Sequence, residues 1–207
     1  MTERASGLDP VRRAAVAGHV LEVLARACPG SRAELRGSLA VGTADPYSDI
    51  DALWTVPDDR FGACVDRVGA VLAEVRPLMA LRGDPDSADT PGRRLLFAAF
   101  EGLPPYWRLD LGVVAEPGAE PTAPRVRHPW RPAASAIAGG VGAVKALHRG
   151  DPATAHALLT RAYPRVGLHA RPTGTFAADL ATLADAALAL DPGLAREAAA
   201  LTALPLP

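Results

Sequence analysis

Asp49 and Asp51 stand two residues apart in a run, Asp49 to Val56, that reads as a β-strand stopped by Pro57. Residues i and i+2 of a strand project from one face, about 6.5–7 Å apart along the backbone, so their oxygens can converge on one or two hard cations. Alternation puts Asp49, Asp51 and Leu53 on that face and Ile50, Ala52 and Trp54 on the other. Left to themselves, two carboxylates on a sheet face repel each other. An apolar opposite face makes the strand a rigid mount for a metal site. A third carboxylate, Asp110, lies within a second strand-like run, Tyr106 to Ala115, where Arg108, Asp110 and Gly112 face one way and Leu109, Leu111 and Val113 the other. Three strand-borne aspartates suit a pair of magnesium ions. Magnesium keeps waters and substrate phosphates in its shell, which points to a nucleoside triphosphate as co-ligand. Gly37-Ser38 supplies a phosphate cradle: glycine admits close backbone approach, and free N–H groups with the Ser38 hydroxyl can donate to phosphate oxygens.

Gly37-Ser38, ten intervening residues, Asp49-Ile50-Asp51 and a later Arg108-Leu109-Asp110-Leu111 together resemble the nucleotidyltransferase superfamily of the DNA polymerase beta type. The stretch from Gly37 to Asp51 is similar to that of small bacterial nucleotidyltransferases acting on aminoglycosides or lincosamides, and of the minimal nucleotidyltransferases. The motif residues span roughly 37 to 110; the rest matches only in general architecture. The resemblance implies that Asp49 and Asp51 bind both magnesium ions, that Asp110 helps hold the ion activating the acceptor hydroxyl, and that Gly37 and Ser38 bind the triphosphate. The implied reaction is in-line attack of a hydroxyl on the α-phosphorus with release of pyrophosphate. Relatives often carry a basic residue where this chain has Val41, so a phosphate or substrate contact is missing here or comes from elsewhere. Lys145, the sole lysine, is a candidate source, because similar enzymes use a lysine on a helix over the cleft. Arg108 shares the face of Asp110 and is read either as a phosphate contact or as an ion-pair partner of Asp110 or Glu101.

Other polar and aromatic residues carry less. Asp45 and Ser48 are turn-forming types. Glu101 and Glu116 are candidate general bases for the hydroxyl. Trp54 and Trp107 fall on the faces opposite the aspartates and read as core; Tyr106 and Trp130 are candidate cleft aromatics. His128, His148, His156 and His169 lack ligand spacing, although His148 shares a helical face with Lys145, and His19 reads as structural. The only two cysteines, Cys28 and Cys64, read as small buried hydrophobes.

The elements that must position this constellation are legible from punctuation and periodicity. Asp9-Pro10 opens a helix with an apolar stripe through Val16, Val20, Val23, Leu24 and Ala27, ended by Pro29-Gly30. Ala33 to Arg36 reads as a short strand running into the Gly37 turn. Asp58 or Asp59 is expected to cap a helix with Phe61, Cys64, Val65, Val68, Val71, Leu72 and Val75 inward, and Leu78 to Leu81 is a further strand. Arg82 to Gly92 reads as a loop. Arg93 to Glu101 and Tyr106 to Ala115 form a hairpin about Gly102-Leu103-Pro104-Pro105. Glu116 to Pro132 holds five prolines and reads as a connector. Four helices follow, over Ala133–Arg149, Pro152–Tyr163, Phe176–Leu190 and Pro192–Leu204, with Asp151-Pro152 and Asp191-Pro192 repeating the start signal.

The expected fold is thus mixed α/β: a nucleotidyltransferase domain over 1–118 with a small mixed sheet and helices on one side, a connector over 119–131, and a C-terminal helical bundle over 132–207. The chain has 207 residues with 22 basic and 23 acidic side chains, a net charge of −1. That balance carries no electrostatic footprint for nucleic acid or an anionic membrane. No apolar run is long enough to span a bilayer and none at the N-terminus suits a signal peptide, so a cytoplasmic monomer or homodimer is expected. The expected activity is Mg2+-dependent transfer of a nucleoside monophosphate, AMP from ATP, to a hydroxyl of a small molecule such as an antibiotic, which would make it a resistance enzyme. The alternatives are a protein AMP-transferase of the toxin–antitoxin kind, transfer to an RNA end, and a nucleotide-binding module without catalysis.

Overall fold

A computed structural model describes residues 8–87, 90–116 and 130–207. The chain divides into two compact units, Met1–Trp130 and Arg131–Pro207. The described residues form a mixed α/β structure with seven α-helices and a five-stranded mixed sheet.

The first unit begins with helix α1, Pro10–Ala27. The Asp9 carboxylate accepts a hydrogen bond from the Val11 N–H at 2.9 Å, and Pro10 occupies the first helical position, where its missing N–H costs nothing. Strand β1, Arg32–Leu35, leads into the five-residue helix α2, Gly37–Val41, which Gly42 ends in the left-handed region at φ 74°. Strand β2 is Ile50–Val56. Helix α3, Phe61–Ala73, is followed by β3, Leu78–Gly83, then β4, Arg93–Phe100, and β5, Leu109–Ala115. The sheet order is β1-β2-β5-β4-β3, antiparallel except for the central pair β2–β5.

Strand alternation divides the sheet into two unlike faces. Ile50, Trp54, Leu96, Phe100, Leu109 and Leu111 are buried against the apolar stripes of α1 and α3, which include Val20, Leu24, Val68 and Leu72. Gly69 brings α3 so close to the sheet that a Cβ there would lie 3.2 Å from Leu81 Cδ2. Asp51, Leu53, Phe97, Asp110 and Gly112 occupy the other face and are only partly buried.

Several elements differ from the expected ones. Asp49 precedes β2 rather than beginning it, and Tyr106 and Trp107 lie in the turn before β5. The Trp107 indole is held there by donating to the Pro46 carbonyl at 3.0 Å. Neither Asp58 nor Asp59 caps α3, because the two begin a 3-10 turn, Asp58–Arg60, that feeds directly into the helix without a side-chain cap. The end of α3 at Ala73 leaves Val75 outside it. Arg82 and Gly83 continue β3 instead of opening a loop, since both still pair with β4. Cys28 is the residue that ends α1 rather than part of it.

The second unit is built from α4 (Pro132–His148), α5 (Pro152–Ala162), α6 (Phe176–Leu190) and α7 (Ala195–Thr202). Asp151 caps α5 by accepting from Thr154 N at 2.9 Å. Asp191 opens a 3-10 turn, Pro192–Leu194, so the expected single helix to Leu204 is a turn followed by the shorter α7. Small residues allow close packing of α4: a Cβ on Gly140 would meet Leu201 Cδ2 at 2.8 Å and Leu183 Cδ2 at 3.2 Å, and one on Gly139 would meet Ala162 at 3.2 Å. Among the described residues no helix is long and apolar enough to cross a membrane. Most of the expected connector, including His128, lies outside the described residues.

Candidate functional site

The central parallel pair places the candidate aspartates. Asp51 on β2 is the register partner of Asp110 on β5, so the two side chains leave the same face of adjacent strands. The Ile50 N–H bonds to the Arg108 carbonyl at 2.9 Å, which continues the register downwards and sets Asp49 beside Arg108. Three carboxylates and one guanidinium therefore occupy four neighbouring positions at one end of the sheet.

Arg108 binds this group together. Its Nε and Nη2 donate to the two oxygens of Asp110 at 2.5 and 2.7 Å, and its Nη2 lies 4.0 Å from Asp49 Oδ2. A two-pronged guanidinium–carboxylate contact is geometrically specific as well as strong. Burial lowers the Arg108 pKa, but the hydrogen bonds and charge of Asp110, with the charges of Asp49 and Asp51, outweigh it and leave the group above its ordinary value. Arg108 also lies over the ring of Phe97, 4.7 Å from its centroid, and Arg82 approaches the same ring at 4.1 Å. Phe97 is the register partner of both Asp110 and Arg82, so Arg82, Phe97, Asp110 and Asp51 form one row across four strands. Sequence reasoning missed Arg82 and Phe97. Their available signal was alternation: Phe97 shares a strand face with Leu95 and Ala99, and Arg82 continues the β3 run.

The Gly37 turn closes on the same place. The Arg36 N–H donates to the Asp51 carbonyl at 2.8 Å, so the end of β1 is still tied to β2 when the chain turns into α2. Gly37 has φ +58°, in the region that side chains rarely tolerate. A Cβ there would overlap Asp51 Oδ2 and lie 3.0 Å from Asp51 Cγ. Glycine thus serves two needs at once, the left-handed turn and room for the Asp51 carboxylate. Ser38 follows directly, on α2, half-buried. Val41, at the far end of α2, is 73% exposed.

A second set of residues fixes the loop between α2 and β2. Asp45 Oδ1 accepts from the Tyr47 N–H and the Ser48 hydroxyl at 2.9 Å each, while Ser48 Oγ accepts from the Asp45 N–H at 3.0 Å. Asp45 and Ser48 are turn-formers, as their types suggest. Arg13, only 2% exposed, reaches this turn from α1 and donates to the carbonyls of Asp45 and Ser48 at 2.5 and 3.2 Å. Burial lowers its pKa and the charge of Asp45 partly restores it. The signal for Arg13 was present in the sequence, since it lies four residues before Ala17 on the apolar stripe. Tyr106 is 3% exposed and packs edge-on against Tyr47, with centroids 5.1 Å apart, which places it in the core rather than in a cleft. Burial, with the charge of Tyr47, pushes its hydroxyl up to about 12.

Glu101 sits one residue past β4, with its carbonyl accepting from Arg76 Nε at 3.0 Å; Glu116 follows β5, its N–H bonded to the Val56 carbonyl at 2.9 Å. Lys145 lies on α4 of the second unit and is buried. His148 Nε2 lies 2.9 Å from the Pro205 carbonyl and so ties down the C-terminal segment. Trp54 is core, as expected, with its indole donating to Ser31 Oγ at 2.9 Å. In the second unit the buried Asp179 was not singled out by sequence: it is 2% exposed and accepts from Thr173 N, Thr173 Oγ1 and Gly174 N at 2.8–2.9 Å.

Among the described residues, no three His, Cys, Asp or Glu side chains are grouped so as to hold a metal ion. The donor chemistry at Asp49, Asp51 and Asp110 nevertheless suits a hard divalent cation, because all three offer carboxylate oxygens, two from paired strands and Asp49 from the residue just before β2. One of the three, Asp110, is engaged at both oxygens by the Arg108 guanidinium. No protein-family model and no curated protein matches the chain.

Proposed function

We propose that this protein is a magnesium-dependent nucleotidyltransferase that moves a nucleoside monophosphate, AMP from ATP, onto a hydroxyl of a small molecule such as an aminoglycoside or lincosamide. The observation that carries the reading is the meeting of three features at one sheet end. The Gly37 turn abuts the Asp51 carboxylate, Asp51 faces Asp110 across a parallel pair, and Asp49 adjoins both.

In this reading Asp49 and Asp51 would hold both magnesium ions and Asp110 would help hold the one that activates the acceptor hydroxyl. Bound magnesium supplies charge neutralisation on the phosphates and a more acidic acceptor hydroxyl. Gly37 and Ser38 present backbone N–H groups and a hydroxyl to the phosphate oxygens, and the missing Cβ at Gly37 keeps the approach open. With cations on the carboxylates, Arg108 would give up Asp110 and its guanidinium would be available to a phosphate oxygen. The acceptor oxygen forms its bond to the α-phosphorus as the bond to the bridging oxygen breaks, and pyrophosphate leaves with the electron pair. The half-buried strip of Leu53, Gly112 and Phe97 beside the aspartates offers an apolar wall for nucleoside or acceptor.

The test is mass spectrometry of a panel of hydroxylated antibiotics incubated with the protein, Mg2+ and each nucleoside triphosphate. Support is a gain of one nucleotide residue on an acceptor, with matching pyrophosphate release, absent from Asp51→Ala. Equal turnover by Asp51→Ala would sink the reading, and nucleotide addition to a protein partner instead would replace the acceptor class.

A further inference from the structure

The only two cysteines of the chain meet, although they are far apart in sequence. Cys28 ends α1 and Cys64 lies in the first turn of α3; both are buried and reduced, and the Cys64 thiol is hydrogen-bonded to Cys28. The two sulfurs share one surface cavity of about 110 Å³, whose wall also includes Trp54, Arg60, Ala63 and Arg67. Arg60, Ala63 and Arg67 are exposed, so the cavity opens to solvent at the end that carries the positive charge.

We propose that Cys28 and Cys64 form a peroxide-reactive dithiol that closes to an intramolecular disulfide. Two observations support it: both cysteines interact at the wall of one cavity, and that cavity, large enough for a small hydroperoxide, opens to solvent beside Arg60 and Arg67. Burial and the hydrogen bond to Cys28 push the Cys64 thiol up to about 12, against the opposing charges of Arg60 and Arg67. One of the two sulfurs, as thiolate, takes the terminal oxygen of the hydroperoxide, breaking the O–O bond to give a sulfenic acid and, after protonation, water or an alcohol. The other sulfur then attacks the sulfenic sulfur and displaces water. With hydrogen peroxide the balance is two thiols and one peroxide to one disulfide and two waters.

The disulfide would close a loop from Pro29 to Ala63, and that loop contains β1, α2 and β2. Constraining it in the unfolded chain favours the folded one, so the oxidised protein should melt at higher temperature than the reduced one.

The test uses the full chain, fully reduced, treated with a small excess of hydrogen peroxide and then measured as intact mass with a count of free thiols under denaturing conditions. The expected result is a protein lighter by two hydrogens, both thiols lost, a Cys28–Cys64 cross-linked peptide, and complete reversal by dithiothreitol. Cys28→Ala and Cys64→Ala should each gain oxygen on the remaining cysteine or stay unreacted. A second measurement needs no variant: a trivalent phenylarsenical, which bridges two thiols only where they meet, should bind the native protein one to one. The proposal is overturned if native wild-type protein keeps both thiols, gains oxygen at the two cysteines independently, or cross-links only between chains. Failure to bind the arsenical overturns it as well.

Discussion

Gly37→Ala probes the contact on which the site is built. Two costs are separable. An alanine forced to φ +58° carries left-handed strain of about 1–2 kcal/mol. Its Cβ also overlaps the Asp51 carboxylate, so either that carboxylate or α2 must shift, and such overpacking costs about 1–3 kcal/mol. Alanine restricts the unfolded chain and returns about 0.4–1 kcal/mol. The net loss is then roughly 1–4.5 kcal/mol on the ranges just cited. In an Asp51→Ala background the nearest remaining atom of residue 51 is its Cβ, 3.4 Å away, an ordinary contact. The second cost disappears there and the first remains. A double-mutant cycle should therefore return a coupling of about 1–3 kcal/mol, with Asp51→Ala partly rescuing Gly37→Ala. The assay is urea unfolding followed by tryptophan fluorescence, since Trp54 and Trp107 are both 1% exposed within the first unit. Additivity within about 0.5 kcal/mol would refute the claim that Gly37 is glycine to make room for Asp51.

Further outcomes follow from the same geometry. Arg108→Met should tighten Mn2+ binding, measured by electron paramagnetic resonance, because the guanidinium competes for both oxygens of Asp110; unchanged or weaker binding would remove Arg108 from the cation site. Arg13→Met should cost about 1–3 kcal/mol in urea unfolding by stripping the Asp45 and Ser48 carbonyls of their donor. Asp179 has a second-unit role with a defined pH sign. Burial alone would raise its pKa, yet the Thr173 and Gly174 N–H groups, the Thr173 hydroxyl and Tyr163 lower it below the ordinary value. The unfolded chain, near 3.9, binds the proton first, so the Asp179 contribution is complete above that pH and is lost as pH falls through the lower folded value. Asp179→Asn should cost about 1.5–3 kcal/mol at pH 7, and its deficit against wild type in pH-dependent melting should shrink below about pH 4.

The sequence was most legible where local chemistry dictates structure. Asp-Pro pairs announced the starts of α1 and α5, and alternation assigned Trp54 and Leu111 to one sheet face and Asp51 and Asp110 to the other. What it could not show depends on register between distant strands. That Asp51 lies opposite Asp110, and Phe97 opposite both Asp110 and Arg82, is set by pairing order, which no local pattern encodes. Of the readings left open for Arg108, the ion pair with Asp110 is a local contact between residues two apart on one face, and it is formed. Asp58 and Asp59 misled because a capping type precedes α3, whereas a 3-10 turn fills the gap. The meeting of Cys28 and Cys64 is likewise a property of helix packing, visible only once α1 and α3 share a sheet face.

The central claim is that the Gly37 turn and the three aspartates form one magnesium–triphosphate site. Isothermal titration of the full chain with a non-hydrolysable ATP analogue tests it most directly, with and without Mg2+. The account predicts binding that requires Mg2+, is lost in both Asp49→Ala and Asp51→Ala, and survives Asp59→Ala, an aspartate of the 3-10 turn before α3. Binding that is independent of Mg2+, or that persists unchanged in Asp51→Ala, would contradict it.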